Sequence, residues 1–111
     1  MSAEQRAKVF KALADAHRVA IVDSLAKNGP RCGTELADEL GISVALISHH
    51  WDVLVEAGLI TKERVGQARY CSLDLEKLHQ ATEGWDGYVA ALVAMPSAPA
   101  RPAKKKTKKR A

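Results

Sequence analysis

The stretch TELADELGISVALISHHWDVL, Thr34 to Leu54, constrains this chain more than any other. It holds two short apolar-periodic runs joined at Gly41. Leu36 and Leu40 share a face of the first run, while Ile47, Trp51, Leu54 and Val55 recur at three- and four-residue steps in the second. Glycine at the join supplies a left-handed backbone at little steric cost. Ser43 is a suitable N-cap for the second helix, and Ala37 is small where that helix must approach the first. Ile42 and Ile47 then fill the seam, with Leu36 and Leu40 behind them. These are the demands of a helix-turn-helix, met one by one.

The flanks extend the pattern. Residues 3–14 place Phe10, Leu13 and Ala14 at helical spacing, and Asp15 is a natural cap for a second helix carrying Ile21, Val22 and Leu25. Gly29 suits a left-handed helix end, and Pro30 prevents continuation. A third helix starts within CGTELADEL, and Gly58 closes the fourth. Two β-compatible runs near 59–64 and 68–73 then flank Val65-Gly66-Gln67, which reads as a hairpin. Beyond it Leu75, Leu78, Thr82, Trp85, Val89 and Leu92 form a two-heptad seam on a last helix beginning near Asp74. The expected fold is mainly α with a small β-hairpin, a winged helix-turn-helix of order α-α-α-α-β-β-α, with Leu78, Trp85, Val89 and Leu92 as the seam offered to a second helix.

Charge separates the chain into two parts. Residues 96–111, PSAPARPAKKKTKKRA, carry seven of the 17 basic residues and no acid, which leaves a balance of −3 over 1–95. Three prolines and no large apolar residue in that segment predict a disordered Lys/Arg-rich tail on a single domain spanning 1–95. Such a cationic arm would release counterions from a duplex. No apolar run reaches the roughly 18 residues of a membrane span, and the amino end has no signal-peptide design, so a cytoplasmic protein is expected. Cys32 and Cys71 form no CxxC pair and read as free thiols. Neither a Gly-rich phosphate loop nor a nucleophile elbow is present, and no pair of carboxylates marks a cleft, so an enzyme is not expected.

From FKALADAHRVAIVDSLAKNG through TELADELGISVALISHHWDVLVEAGLITKERVGQARYCSL the chain resembles the ArsR/SmtB (arsenic-repressor) family of winged-helix regulators. Its most specific segments are LADAHR, LISHHWDVLVEAGLI and the hairpin ending in Arg69-Tyr70. The resemblance implies a homodimer that represses a promoter and releases it when a metal ion or stress signal binds. The geometry of a helix capped at Ser43 turns Val44, Ala45, Ser48 and His49 away from the Ile47/Trp51/Leu54 stripe. With Ser43 itself these are the DNA-contact candidates of the helix: Val44 and Ala45 suit thymine methyls, and Ser48 and His49 suit base edges or phosphates. His50 lies nearer the buried stripe, as a packed, hydrogen-bonded histidine. Arg64, Gln67 and Arg69 sit on the wing, where backbone or minor-groove contacts are expected. A two-fold dimer would bind an inverted-repeat operator.

The sensing residues depart from the family's pattern. Its arsenic site places thiols at the start of the third helix; here the first position is Cys32, but the next two fall on Thr34 and Ala37, so a three-thiolate site is not expected. Cys32 stands three residues before Glu35, where Ser stands in a capping box. A thiol at a helix N-terminus is activated by the dipole, so Cys32 is either a redox or electrophile sensor or a substitute for a Ser cap. Cys71 reads as a half-buried hydrophobe. The family's last-helix metal site would use positions near Leu75 and Lys77, and that pattern is missing. Glu76, His79, Glu83 and Asp86 remain, spaced three, four and three, an alternative N/O set for nickel or zinc as effector, although no cofactor is needed for the fold. His17 is a further candidate ligand from the neighbouring layer. Two other readings stay open: a constitutive, weakly sequence-selective DNA-binding protein driven by the basic tail, and a winged helix used for protein–protein contact. An accessory protein for sensing is likewise neither required nor excluded by these residues.

Overall fold

The computed structural model describes residues 1–83 together with Trp85, Val93 and Ala94. Its elements run α1 (Ala3–Ala12), α2 (Ala16–Asn28), β1 (Arg31–Cys32), α3 (Gly33–Leu40), α4 (Val44–Glu56), β2 (Ile60–Val65), β3 (Ala68–Leu73) and α5 (Leu75–Thr82). The helix starts at Asp15 and Ser43 follow the anticipated caps, and the last helix starts where expected, with Asp74 as its cap. Asp15 Oδ1 accepts the N–H groups of His17 and Arg18 at 2.9 and 3.2 Å. Ser43 Oγ accepts from Leu46 at 3.0 Å, and Asp74 Oδ1 from Lys77 at 3.0 Å. Each satisfies donors that the first turn of a helix leaves free.

The core is the meeting of α2, α3 and α4 over the sheet. Ile21, Leu36, Ile47, Leu54, Leu59, Ile60 and Val9 are fully buried, and Trp51 is nearly so. Each such side chain contributes about 1.5–3 kcal/mol of apolar burial. At the corner between α3 and α4, Gly41 adopts φ 71°, ψ 33°, and both its N–H and that of Ile42 return to the Ala37 carbonyl at 2.8 and 3.2 Å. This left-handed closure lets Leu36 and Ile47 face each other across the turn.

Four expectations need correction. The apolar stripe of α1 is Val9 and Ala12, not Phe10, Leu13 and Ala14, since Phe10 and Leu13 are half-buried and Ala14 is exposed. Val55 lies outside the core edge of α4 and is exposed. The hairpin belongs to a three-stranded sheet of order β1-β3-β2, in which Arg31 pairs with Cys71 and Cys32 with Tyr70. Finally, α5 does not run on from Asp74 to Leu92: it ends at Thr82, and Glu83 has extended backbone, φ −60°, ψ 131°. The Thr82 hydroxyl donates to the Leu78 and His79 carbonyls at 3.2 and 3.3 Å, taking acceptors that a continuing helix would use.

The seam residues are affected accordingly. Leu78 is half-buried and packs on the core of its own chain, and the fully buried residue of α5 is Ala81. Trp85 stacks on Phe10 of α1, with ring centroids 4.9 Å apart, and lies 5.7 Å from the Arg6 guanidinium, yet it remains 48% exposed. Val89 and Leu92, like the tail 96–111, lie outside the described residues. Among the described residues, no helix is long and apolar enough to cross a membrane.

Candidate nucleic-acid interface

Helix α4 has two faces of different character. Ile47, His50, Trp51 and Leu54 point inward, whereas Val44, Ala45, Ser48 and His49 are exposed along the opposite edge beside the Ser43 cap. The expected contact edge is therefore solvent-facing as a unit. Three anchors fix it. Gly33 of α3 lies where an added Cβ would be 3.6 Å from the Trp51 ring and 3.7 Å from Val44, so the two helices are in ordinary contact there. Arg18 spans α1, α2 and α4: its Nε donates to the Ala12 carbonyl and its guanidinium reaches His50 Nδ1 at 3.3 Å. Lys62 of β2 donates to Asp52 of α4 at 3.1 Å, joining wing to helix.

His50 is buried, as its position on the stripe required. Burial holds its imidazole below the ordinary histidine value; Asp15 opposes the shift, and Arg18, His17 and His49 reinforce it. A neutral ring is thus the form that packs in the core.

The wing is a tight hairpin. Val65 pairs with Ala68 across Gly66 and Gln67, and Gly66 takes φ 65°. Two-residue hairpin turns favour such left-handed residues. Arg64 and Arg69 face each other in register, and both are exposed with Gln67. Between this wing, the start of α3 and the outer edge of α4 runs a groove of about 470 Å³. Ser48, Val44, Gln67, Arg69 and Lys62 line it. The structure thus gathers two of the four α4 candidates and two of the three wing candidates around one groove, while Ala45, His49 and Arg64 lie exposed outside its lining.

Cys32 also lines that groove. Its backbone N–H donates to Glu35 Oε1 at 2.9 Å, the returning half of a capping box, and its Sγ lies 3.2 Å from Thr34 Oγ1. The Glu35 carboxyl is held below its usual value chiefly by that Cys32 N–H. Cys71 is deeper than expected, fully buried, and burial pushes its thiol up to about 12. Cys32 pairs with Tyr70 and Arg31 with Cys71 across β1 and β3, and both cysteines are free.

The anticipated last-helix ligands are less gathered. Glu76, His79 and Glu83 are all exposed; His79 Nε2 lies 3.8 Å from Glu83 Oε1, an ordinary surface pairing. Asp86 lies outside the described residues. Sequence reasoning missed the Lys62–Asp52 and Arg18–His50 links. Neither leaves a periodic trace, since each joins elements distant along the chain.

Known proteins are similar to this chain in both sequence and arrangement. Residues 15–62 match the family described as "Bacterial regulatory protein, arsR family". The arsenical resistance operon repressor of Bacillus subtilis is 36% identical over 70 residues, spanning 63% of this chain and 67% of that protein. A cadmium resistance transcriptional regulatory protein CadC homolog from Staphylococcus aureus is 39% identical over 77 residues, 69% of this chain and 64% of its own length. Among solved structures, a homodimeric winged helix-turn-helix DNA-binding domain from Mycobacterium bovis, a possible ArsR-family regulator, superposes with TM-score 0.65 at 25% identity, over 86% of this chain and 89% of that one. The family and these relatives are transcriptional regulators and not enzymes. With its capped reading helix and wing, this chain belongs to the arsR family of bacterial regulatory proteins, a group of DNA-binding winged helix-turn-helix transcriptional regulators.

Proposed function

We propose that the protein represses transcription as a homodimer bound to an inverted-repeat operator, and that a metal ion of the nickel or zinc type, or a thiol-directed oxidant, releases it. The observation that carries the reading is the common exposure of Val44, Ala45, Ser48 and His49 beside Arg64, Gln67 and Arg69. An exposed helix edge of this width fits a major groove, and the wing cations fit the flanking backbone. The homodimeric Mycobacterium bovis domain supports pairing. Relatives named for arsenical and cadmium resistance support a metal signal. A cytoplasmic location follows from operator binding.

Within this reading the sensing groups are Glu76, His79, Glu83 and Asp86, or Cys32. Cys32 is the better placed for a thiol signal, because any bulky oxidised form would intrude on the groove that Arg69 and Ser48 share. The test is selection from a random duplex pool, followed by anisotropy with Ser48→Ala, His49→Ala, Arg69→Ala and a chain truncated before residue 96. An inverted repeat should emerge. Ser48→Ala or His49→Ala should alter base preference, while Arg69→Ala should weaken all sequences alike and reduce the salt slope by about one. Failure to enrich any duplex would overturn the proposal in favour of a protein-contact role. Loss of all binding on truncation would instead favour coating by the basic tail. Operator affinity measured with Zn(II), Ni(II) and oxidant, in wild type and in Cys32→Ser and His79→Ala, separates the two signals.

A further inference from the structure

The first turn of α2 and the middle of α4 bring together three side chains whose meeting DNA reading does not require. Asp15, His17 and His50 each offer a ligand atom, and the three atoms lie within 4.8 Å of one another. Asp15 and His17 are half-buried, and His50 is only 4% exposed. The two imidazoles are tilted at 60° with centroids 5.4 Å apart. We propose that Asp15, His17 and His50 form a divalent-cation site of the zinc or nickel class within one subunit, separate from the residues of the last helix.

The donor chemistry fits. Two imidazole nitrogens and one carboxylate oxygen are a common set for borderline ions, with water completing the shell. Ligand atoms around a tetrahedral zinc at 2.0–2.1 Å stand roughly 3.4 Å apart, so closure needs about an ångström of side-chain rotation. Asp15 can join without giving up its cap: Oδ1 is committed to the His17 and Arg18 N–H groups, which leaves Oδ2 for a cation.

Arg18 makes the site a competition. A guanidinium only donates, so its contact with His50 requires Nδ1 to accept and, in the neutral ring, places the proton on Nε2. That Nε2 is buried without a partner among the described residues. A metal on Nδ1 takes the place of Arg18. A metal on Nε2 moves the ring proton to Nδ1, where it meets the Arg18 donor head-on. On either nitrogen, metal binding and the Arg18–His50 contact exclude each other. Because that contact ties α2 to the reading helix, occupancy of the site exchanges the Arg18 tie for a metal tie between the same two helices, one residue from His49.

Cobalt(II) titration of the full chain, followed by ligand-field absorption, tests the assignment. We expect one saturable site whose affinity falls at least about tenfold in His17→Ala and in Asp15→Asn. The second substitution keeps the cap acceptor and guards against a folding artefact, which helical circular dichroism checks. Arg18→Met, which removes both the competitor and a like charge, should tighten binding by about tenfold. His79→Ala should leave it unchanged. Wild-type affinity in both His17→Ala and Asp15→Asn overturns the proposal, as does weaker binding in Arg18→Met or no saturable cobalt in the wild type. Loss confined to His79→Ala also overturns it, and would place the metal on the last helix. The readout is metal affinity alone, so it stands or falls independently of operator binding.

Discussion

Substitution of Gly41 isolates the backbone strain of the helix-turn-helix corner from every packing effect. Gly41 sits at φ 71°, ψ 33°, and a Cβ built there meets nothing within 4 Å. Alanine therefore costs only the left-handed conformation, about 1–2 kcal/mol. Part of this is offset by the smaller entropy of the unfolded Ala chain, about 0.4–1 kcal/mol. The net loss is about 1 kcal/mol, which for a domain of this size lowers Tm by roughly 4–8 °C. Asparagine tolerates the same region and should lose less, whereas valine, stiff at its branched Cβ, should lose more. Thermal unfolding by circular dichroism at one fixed protein concentration measures the series, since association would otherwise move Tm. A Gly41→Ala variant melting with the wild type, or an asparagine variant as unstable as valine, would refute the reasoning. A loss above about 3 kcal/mol in Gly41→Ala would refute it too, because only a steric clash reaches that size.

The buried Cys71 thiol gives a pH dependence of defined sign. Its pKa of about 12 in the folded state lies above the ordinary thiol value, so its contribution is fully present below the unfolded pKa and is lost as pH rises toward about 12. Denaturant midpoints between about pH 8 and 11 should fall more steeply in wild type than in Cys71→Val, and parallel slopes would contradict this. The Lys62–Asp52 clasp, exposed on its acidic side, should contribute less than about 1 kcal/mol to stability, so Asp52→Asn and Lys62→Met should melt close to wild type. Their DNA affinities should diverge: removing the carboxylate beside the groove strengthens binding, and removing its cation weakens it, as anisotropy at fixed salt would report.

What the sequence disclosed and what it hid follow a physical division. The corner at Gly41, the caps at Asp15 and Ser43, the helix start near Asp74 and the hairpin turn at Gly66 are set by chemistry within a few residues, and all appear where the sequence placed them. The inward edge of α4 was legible because Ile47, Trp51 and Leu54 repeat its helical period. β1 was not, since two residues after a proline carry no period, and its pairing with β3 is fixed by tertiary packing. Ala81 was missed for another reason. A residue so small gives little hydrophobic signal, although close approach of α5 to the core needs that smallness. The Phe10–Trp85 stack drew Trp85 partly into its own chain, an outcome that heptad spacing cannot distinguish from pairing with a second copy. The Asp15–His17–His50 cluster joins two helices through side chains 33 residues apart, so only His17 had been singled out as a candidate.

The two-residue strand Arg31–Cys32 has mechanical meaning. It sutures the start of α3 to the central strand of the sheet, while Lys62 clamps the neighbouring strand to α4. Wing and reading helix are thereby held at both edges of the sheet. On the proposed reading, bending the wing against the reading helix would have to part the β1–β3 pairing and the Lys62–Asp52 contact together.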